Sequence, residues 1–371
     1  MAHNHKTIVI GGGLAGLISA CLLAKNGQEV LLIEKKSYPF HRVCGEYLSN
    51  EVLDFFEREN LLPDSIEFPH INKFLFSDTS GKSVSTPLDL GGIGISRFVL
   101  DEYLYKKLLE KGGKVKTGVQ VESAVFDEKE NFFRLELAGG EGLVADYVIG
   151  AFGKRSKLDK ALRRSFIEKR SPFIGVKYHI RADFNRDTVA LYNFEGGYCG
   201  LNAIEEGKAN LCYLGNREHL RKYGSIEAME RKILWKNPSL KSFFTESEFL
   251  FENPEVINEI NFERKKPVEN HILMAGDSAG LITPLCGNGM AMAIQSGKLA
   301  AESIIRGKSR KEIEESYEFA WISQFERRLW LGRKVQKLFG SNQASLFTRK
   351  LIQNVPFFAK QIIKRTHGKP F

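Results

Sequence analysis

Residues 7–34, TIVIGGGLAGLISACLLAKNGQEVLLIE, form the stretch that decides the fold of this chain. A buried strand is predicted at Thr7–Ile10, followed by the glycine turn GGGLAG (11–16), an apolar helix and a second strand that ends at Glu34. This order is typical of the βαβ unit that binds dinucleotides. The glycines let backbone amides approach a pyrophosphate at the helix N-terminus, and Glu34 is placed to accept a hydrogen bond from a ribose hydroxyl.

A second strand–turn–helix unit lies late in the chain, in HILMAGDSAGLITPLCGNGMAMAIQSGKLAA (271–301). A short apolar run is followed by Gly276 and Asp277, and an apolar helix pattern begins near Asn288. So many small residues beside a single acid indicate that a flat, anionic group lies against bare backbone at this point. A simple nicotinamide dehydrogenase has no need for such a second unit.

The two units together resemble FAD-dependent oxidoreductases of the p-hydroxybenzoate hydroxylase and geranylgeranyl reductase group. GDSAG (276–280) is similar to the second FAD motif of this group, and PLCGNGM (284–290) is similar to its flavin-ring loop. RFVLD (97–101) resembles the group's arginine-containing helix. RVCGE (42–46) resembles the segment that passes along the isoalloxazine in geranylgeranyl reductases.

The resemblance implies a bound FAD and no metal. In that group the acid of the second motif holds the ribityl chain, and the N-terminus of the following helix stabilises the anionic reduced ring. Val121 matches the adenine-side position. The residues implied to contact FAD are Gly11, Gly13, Leu14, Ala15, Gly16, Glu34, Lys35, Arg42, Cys44, Gly45, Arg97, Val121, Ala151, Gly153, Gly276, Asp277, Pro284, Gly287, Asn288, Gly289 and Met290.

One position departs from the group's pattern. The group has an Asp-Gly pair near the middle of the chain, where this chain has Phe152 and Gly153. A phenyl ring accepts no hydrogen bond from a ribose or a nicotinamide nucleotide, so direct reduction by NAD(P)H is predicted to be slow. A separate electron-donor protein is then the alternative source of electrons. The Trp-x-Trp element of flavin halogenases is missing, since none of the three tryptophans has that spacing.

The predicted fold class is α/β. A Rossmann-type FAD-binding domain is interleaved with an antiparallel-sheet substrate domain, and a helical C-terminal region follows. Strand-length apolar runs occur at 174–181, 188–194, 198–204 and 209–214, and Gly196 and Gly197 join two of them as a hairpin. The predicted ranges are 1–65, 97–160 and 266–310 for the FAD-binding domain, 66–96 and 161–265 for the substrate domain, and 311–371 for the basic helical region.

Few side chains are candidates for chemistry. Cys44 and Cys286 fall in predicted flavin-facing loops and could donate a proton, and Tyr198 lies on a predicted strand. Free cysteines and tyrosines on strands more often pack than react, so packing is the favoured interpretation of each. The resemblance leaves two reactions open on an apolar, isoprenoid- or polyketide-like substrate, namely C=C reduction by hydride from reduced flavin N5 and monooxygenation. A non-catalytic flavin- or lipid-binding protein is the third possibility.

The net charge is concentrated at the C-terminal end. The sequence has 54 Lys and Arg against 45 Asp and Glu, and residues 331–371 contain nine basic residues and no acid. Basic helices rich in Phe are typical of peripheral anchors on anionic membranes, and also of helices that cap a domain and expose a solvated face. No apolar run has the length that spans a bilayer, and no nucleic-acid module accompanies the charge. We expect a cytoplasmic protein, with attachment to the inner face of the membrane left open.

Overall fold

The computed structural model describes residues 3–169, 171–258, 260, 262–281, 288–336, 340–355, 357, 361 and 367–371. The helices in this part of the chain are α1 (Leu14–Lys25), α2 (Leu53–Glu59), α3 (Arg97–Glu110), α4 (Lys157–Ala161), α5 (Arg217–Tyr223), α6 (Ile226–Lys232), α7 (Pro238–Glu246), α8 (Gly289–Arg306), α9 (Arg310–Gln336) and α10 (Asn342–Asn354). The strands are β1 (His3–Ile10), β2 (Val30–Glu34), β3 (Tyr47–Ser49), β4 (His70–Ser77), β5 (Ser83–Gly94), β6 (Lys114–Thr117), β7 (Val121–Asp127), β8 (Phe132–Leu137), β9 (Gly142–Gly150), β10 (Phe173–Arg181), β11 (Thr188–Phe194), β12 (Gly197–Ala203), β13 (Ala209–Asn216), β14 (Glu248–Phe249), β15 (Glu255–Asn258), β16 (Val268–Glu269) and β17 (Ile272–Met274).

The first sheet has a parallel core in the order β17-β9-β1-β2-β6. β16 adds an antiparallel edge, and β7 and β8 form an antiparallel extension of β9. Every residue of β2 is buried, as expected for a parallel strand that is covered on both faces. The predicted Rossmann-type α/β fold is confirmed.

Helices α1 and α8 pack against each other beside this sheet. Residues 14–23 of α1 are all buried, so this helix is a core element rather than a surface one. A Cβ on Gly297 of α8 would overlap the Ala15 carbonyl of α1, so glycine is what lets the two backbones approach. Ser19 Oγ also donates to the Gly297 carbonyl oxygen at 3.0 Å. The late strand–turn–helix unit is thereby fixed against the first one.

The second sheet runs in the order β14-β10-β13-β12-β11-β4-β5-β3, with β15 paired to β10. Its strands are antiparallel except for the pair β11 and β4, which is parallel. The hairpin at Gly196 and Gly197 joins β11 to β12 as predicted, and Gly196 has φ +84°. β3 pairs with β5 of this sheet, although its residues lie within the range predicted for the FAD-binding domain. Chain segments near residue 47 therefore connect the two sheets.

The two faces of the second sheet have different neighbours. An apolar core packs on one face, where Met229, Ile233, Leu234 and Leu240 from α6, α7 and the turn between them meet the sheet. The opposite face borders a cavity shared with the first sheet. The sheet therefore acts as a wall between a packed core and a ligand-sized space.

The described C-terminal residues pack onto the body of the protein. α9 buries one apolar stripe, which consists of Ile313, Tyr317, Trp321, Phe325 and Leu329. α10 packs against β4 and β5. At the end of the chain, the backbone N–H of Phe371 donates to the Glu51 carbonyl oxygen, and its ring packs 5.7 Å from that of Phe55.

Candidate active site

A cavity of about 970 Å³ lies between the two sheets. The carboxyl ends of the parallel strands open onto it, and its lining includes Gly11 after β1, Glu34 at the end of β2 and Ala151 after β9. Open α/β sheets bind their ligands at this edge. The opposite wall comes from the second sheet and α10. The cavity is therefore the candidate site for both a cofactor and a substrate.

The glycine turn has the geometry that a pyrophosphate requires. Gly11 has φ +104°, and a Cβ there would overlap the Ala151 carbonyl oxygen. A Cβ on Gly16 would overlap the Gly11 carbonyl oxygen, so Gly16 keeps the helix close to the strand. Gly13 precedes the first turn of α1, and no described side chain caps that turn. Its backbone amides are therefore available to an anionic group.

Glu34 shapes this turn through its carboxylate. Oε2 accepts hydrogen bonds from the Gly12 backbone N–H at 2.8 Å and from Arg42 at 3.1 Å, and Oε1 accepts from the Lys36 backbone N–H at 3.1 Å. Tyr38 Oη donates to the Gly12 carbonyl oxygen at 2.6 Å. Glu34 is almost fully buried, and its hydrogen bonds stabilise the glycine turn in addition to its place on the cavity lining.

Two arginines flank the glycine turn and share one acid. Asp101 is buried and accepts hydrogen bonds from Arg97 Nε at 2.7 Å and from Arg42 Nε at 2.9 Å. Burial opposes the charged form of Arg97, but the ion pair with Asp101 raises the pKa of the guanidinium overall. Arg97 Nη2 lies 3.6 Å from where a Cβ on Gly13 would be. A permanent positive charge at this place suits a phosphate-bearing cofactor.

The second motif reaches the same cavity through Gly276 and Asp277. Gly276 has φ +62°, which favours glycine. Lys265 Nζ donates to the Asp277 carbonyl oxygen at 2.8 Å, and Ser278 Oγ accepts from the Gly153 backbone N–H at 2.9 Å. These bonds tie the motif to the loop that follows β9, so the two loops line the cavity as a unit.

The structure brings most of the residues predicted to contact FAD to this cavity. Its lining includes Gly11, Gly13, Leu14, Ala15, Glu34, Lys35, Arg42, Cys44, Gly45, Arg97, Val121, Ala151, Gly153, Gly276, Asp277, Gly289 and Met290. Gly16 and Asn288 are buried away from the lining, Gly16 because it packs against Gly11. Pro284 and Gly287 lie outside the described residues.

The catalytic candidates have different positions. Cys44 is half-buried and lines the cavity beside Gly45. Tyr198 is buried in β12 and also lines it. Cys286 lies outside the described residues. Phe152 lines the cavity as well, next to the Ala151 and Gly153 backbone.

A family model described as an FAD binding domain matches residues 4–320. The chain belongs to this FAD-binding family. The uncapped first turn of α1, the open space beside Gly45 and the cation of Arg97 all fit the group that the family binds. The cofactor prediction is confirmed, and the protein is an FAD-dependent oxidoreductase of the p-hydroxybenzoate hydroxylase and geranylgeranyl reductase group.

Curated relatives are similar in sequence to this chain over more than two thirds of their length. A digeranylgeranylglycerophospholipid reductase of Methanosarcina acetivorans is 26% identical over 349 residues, which cover 86% of this chain and 81% of the relative. The chloroplastic geranylgeranyl diphosphate reductase of Oryza sativa is 26% identical over 377 residues, covering 92% and 76% of the two chains. The conditioned medium factor receptor 1 of Dictyostelium discoideum is 23% identical, with 86% and 68% covered.

Solved structures show the same fold at lower identity. The geranylgeranyl bacteriochlorophyll reductase-like protein of Thermoplasma acidophilum has a TM-score of 0.71 and 20% identity, with 98% of this chain and 100% of that chain covered. PqsL of Pseudomonas aeruginosa, in complex with 2-aminobenzoylacetate, has a TM-score of 0.74 and 16% identity, with 92% and 98% covered. Another structure of PqsL is described as that of a probable FAD-dependent monooxygenase. Proteins described as reductase-like and as monooxygenase therefore share this fold.

The sequence did not predict the part of the lining that lies away from the glycine turn. Apolar side chains surround this end of the cavity, and they come from β4, β5, β11 and α10: Phe74, Phe76, Leu88, Val189, Leu191, Leu351 and Ile352. Their signal in the sequence is the presence of apolar residues in 70–77 and in the predicted strand 188–194, and at helical spacing in 346–352. It marks buried faces, but it cannot tell a cavity wall from a packed core.

None of the helices in the described residues is long and apolar enough to cross a membrane. The same ranges contain no group of three or more His, Cys, Asp or Glu side chains arranged to hold a metal ion.

Proposed function

We propose that this oxidoreductase reduces a carbon–carbon double bond in an apolar, isoprenoid- or polyketide-like substrate. The observation that carries the proposal is the apolar end of the cavity. It continues from the segment Arg42–Glu46 toward Phe74, Leu88 and Leu351. Ligand sites bury most of the ligand surface and use few polar groups for orientation, so a greasy chain is the ligand class that this end fits.

Such a reaction needs a hydride, a proton and a site that excludes water. FAD, when bound and reduced, supplies the hydride that goes to one carbon of the double bond. A protein or water acid supplies the proton for the neighbouring carbon, and Cys44 and Tyr198 are the candidates on the described lining. The apolar walls exclude water, which protects the reduced cofactor from side reactions.

The named functions of two relatives support reduction. They are described as a digeranylgeranylglycerophospholipid reductase and a geranylgeranyl diphosphate reductase, and each is 26% identical to this chain. An anaerobic single-turnover reaction tests the proposal. Protein reduced with dithionite is mixed with a geranylgeranyl lipid, and flavin reoxidation and product mass are followed.

Reduction predicts flavin reoxidation without oxygen and a product that has gained two hydrogens. A product that appears only with oxygen and has gained an oxygen atom would establish a monooxygenase instead. A lipid that binds but yields no product either with or without oxygen would favour a non-catalytic flavin- or lipid-binding protein.

We also propose that electrons come from a donor protein, or from NAD(P)H only once substrate is bound. Phe152 stands on the cavity lining where the group has an acid. Its ring offers no hydrogen-bond acceptor to a nicotinamide nucleotide. Glu34, Arg97 and Asp277, which are predicted to contact FAD, still line the cavity. The proposal predicts slow reduction by NADPH alone.

Finally, we propose that the C-terminal region places the cavity mouth on an anionic membrane. Phe347 of α10 lines the cavity and is 63% exposed, so it lies at the mouth. Trp330 of α9 and Phe357 are also exposed, at 54% and 70%. Basic residues such as Lys334 and Lys350 are exposed on the same helices. Aromatic and basic side chains together are what an interfacial helix uses to bind anionic lipid.

A further inference from the structure

A row of buried polar side chains crosses three neighbouring strands of the second sheet. His179 on β10 pairs with Asn210 on β13, and Asn210 pairs with Asn202 on β12. Lys177 lies two residues before His179 on the same face and is fully buried. Burying an amide, an imidazole and an ammonium is costly unless each group finds a partner. Simple packing of the sheet would favour apolar residues at these positions.

Each donor of this row has a partner on the segment Arg42–Glu46, although Asn202 Nδ2 also lies 3.2 Å from the carbonyl oxygen of Ala203 on its own strand. Asn210 Nδ2 donates to the Gly45 carbonyl oxygen at 2.9 Å, and Asn202 Nδ2 donates to the Glu46 carbonyl oxygen at 3.3 Å. Lys177 Nζ donates to the Arg42 carbonyl oxygen at 3.2 Å. Side chains from three neighbouring strands of the sheet, β10, β13 and β12, therefore hold the backbone of the segment Arg42–Glu46.

The side chain of Glu46 adds an ionic contact to these bonds. Its carboxylate binds Lys177 Nζ at 2.5 Å and His179 Nε2 at 2.7 Å, and it accepts the Arg97 backbone N–H at 2.8 Å. Burial alone would raise the pKa of Glu46, but Lys177 and His179 lower it to about 2. Glu46 also has φ +52°, which is unfavourable for a residue with a Cβ. The surrounding contacts hold this conformation in place.

The segment held in this way faces the cavity. A Cβ built on Gly45 would meet no atom within 4 Å, so its backbone is open to a ligand. Cys44 Sγ accepts the Glu46 backbone N–H at 3.5 Å, so the thiol is oriented by the same residue. Asn210 is fully buried, and its Oδ1 has no hydrogen-bond partner within the described structure. The contact that accounts for an amide at this position is therefore the one from Nδ2 to the loop.

We infer that Lys177, His179, Asn202 and Asn210 are positioning residues that present the Gly45 backbone and the Cys44 thiol to the bound FAD. They act through the loop: Asn202 is also on the cavity lining, whereas Lys177, His179 and Asn210 lie behind it. This role does not depend on whether the enzyme reduces or oxygenates its substrate. It requires only that FAD occupies the cavity.

The chain offers a matched control for this inference. Asn193 on β11 is also fully buried, its Nδ2 donates to the Ser77 carbonyl oxygen at 2.8 Å, and its Oδ1 has no partner within the described residues. Asn210→Ala and Asn193→Ala therefore remove the same group from the same sheet at the same burial. Only the first of them releases the Gly45 carbonyl.

The test compares iodoacetamide labelling of Cys44, measured by peptide mass spectrometry, in the holoenzyme and in FAD-depleted protein. FAD is expected to slow labelling of wild type and of Asn193→Ala by about tenfold, since thiol reactivity follows exposure. Asn210→Ala should lose most of this protection, and its flavin absorption band should shift. Lys177→Met, if it folds, should show the same loss.

The Asn193→Ala control distinguishes loss of the loop contact from a general destabilisation of the sheet. Both Asn variants lose one buried hydrogen bond, so their thermal midpoints should fall by similar amounts. Unchanged Cys44 protection and an unchanged flavin spectrum in Asn210→Ala would overturn the inference. Equal loss of protection in Asn193→Ala would also overturn it, because that residue does not contact the loop.

Discussion

Glu34 and Asp277 are both acids at the cavity, but the protein uses them differently. Three hydrogen bonds bind the Glu34 carboxylate to the glycine turn and its neighbours. Among the described residues, none donates to the Asp277 carboxylate. A carboxylate that has no donor among the described residues and lines a cofactor site is available to the cofactor, whereas one with several partners also stabilises the loop.

Asp277→Ala is therefore expected to weaken FAD binding by roughly ten- to hundredfold, the value of a charged hydrogen bond. The thermal midpoint of the FAD-free protein should change little. Glu34→Ala should weaken FAD binding less and should lower that midpoint, since the Gly12 amide and Arg42 lose their partner. Flavin titration and thermal unfolding measure the two effects. Acid-released FMN, or no flavin at all, would contradict the whole assignment.

Phe152 gives a prediction about the electron donor. Wild-type flavin mixed with NADPH or NADH in a stopped-flow instrument should be reduced slowly, because no acid faces the nucleotide at this position. Phe152→Asp should accelerate reduction at least about tenfold if one hydrogen bond to the nucleotide is restored. Phe152→Leu is the control, because it changes the shape but adds no acceptor. Complete bleaching of wild type within about a second would show that Phe152 is no obstacle.

Residues with sequence signatures were predictable, and residues that act through tertiary contacts were not. The glycine turn, Arg97 and Asp277 belong to motifs, and the structure brings them to one cavity. Lys177 and Asn210 sit on strands whose sequence gives no reason for a buried ammonium or amide. Their partner is a loop more than 130 positions away in the chain, so only the folded structure shows the contact.

Elements with strong local patterns were also predictable. The β1–α1–β2 unit and the hairpin between β11 and β12 follow from apolar runs and glycines. Strand β3 was not predictable, because three residues are too few to show a periodic pattern. Its pairing with β5 also depends on the whole second sheet. The position of α10 could not be derived either. Its amphipathic pattern indicates a helix with a buried face, but not that this face forms part of the cavity wall.

An ion pair adds to the packing of Ile352 on Phe76 in holding α10 on the second sheet. Arg349 Nε donates to Asp78 Oδ2 at 2.7 Å, and the Asp78 side chain is only 2% exposed. Arg349→Ala is expected to lower the free energy of unfolding by about 1–3 kcal/mol, as for a buried charged hydrogen bond. Asp78 keeps donors from Ser80 and Lys82, so the loss should stay within this range.

The same change should raise hydrogen exchange in residues 342–354 more than elsewhere, because the helix loses its ion pair with Asp78 and opens locally more often. Lys350→Ala, on the exposed side of α10, is the control and should change neither quantity. Increased exchange spread evenly over the protein would show that α10 is not held by this pair.

At the scale of the whole molecule, the basic C-terminal region and the cavity are in contact. The excess of nine basic residues equals the number in 331–371, so the rest of the chain is neutral. α10 belongs to this basic region, and its residues Phe347 and Leu351 line the cavity. A neutral body whose basic C-terminal region contributes Phe347 to the cavity lining supports the proposal that an apolar substrate enters directly from a lipid surface.

Liposome co-sedimentation tests this arrangement. Binding should increase with the fraction of anionic lipid and decrease with salt, because exposed charges are screened. Each Lys near an anionic surface contributes about 1 kcal/mol, so Lys334→Glu with Lys350→Glu should reduce binding by at least about tenfold. Lys232→Glu, on α6 of the neutral body, should have little effect. Equal binding to neutral and anionic vesicles, or binding to neither, would mean that the basic helices only cap the domain.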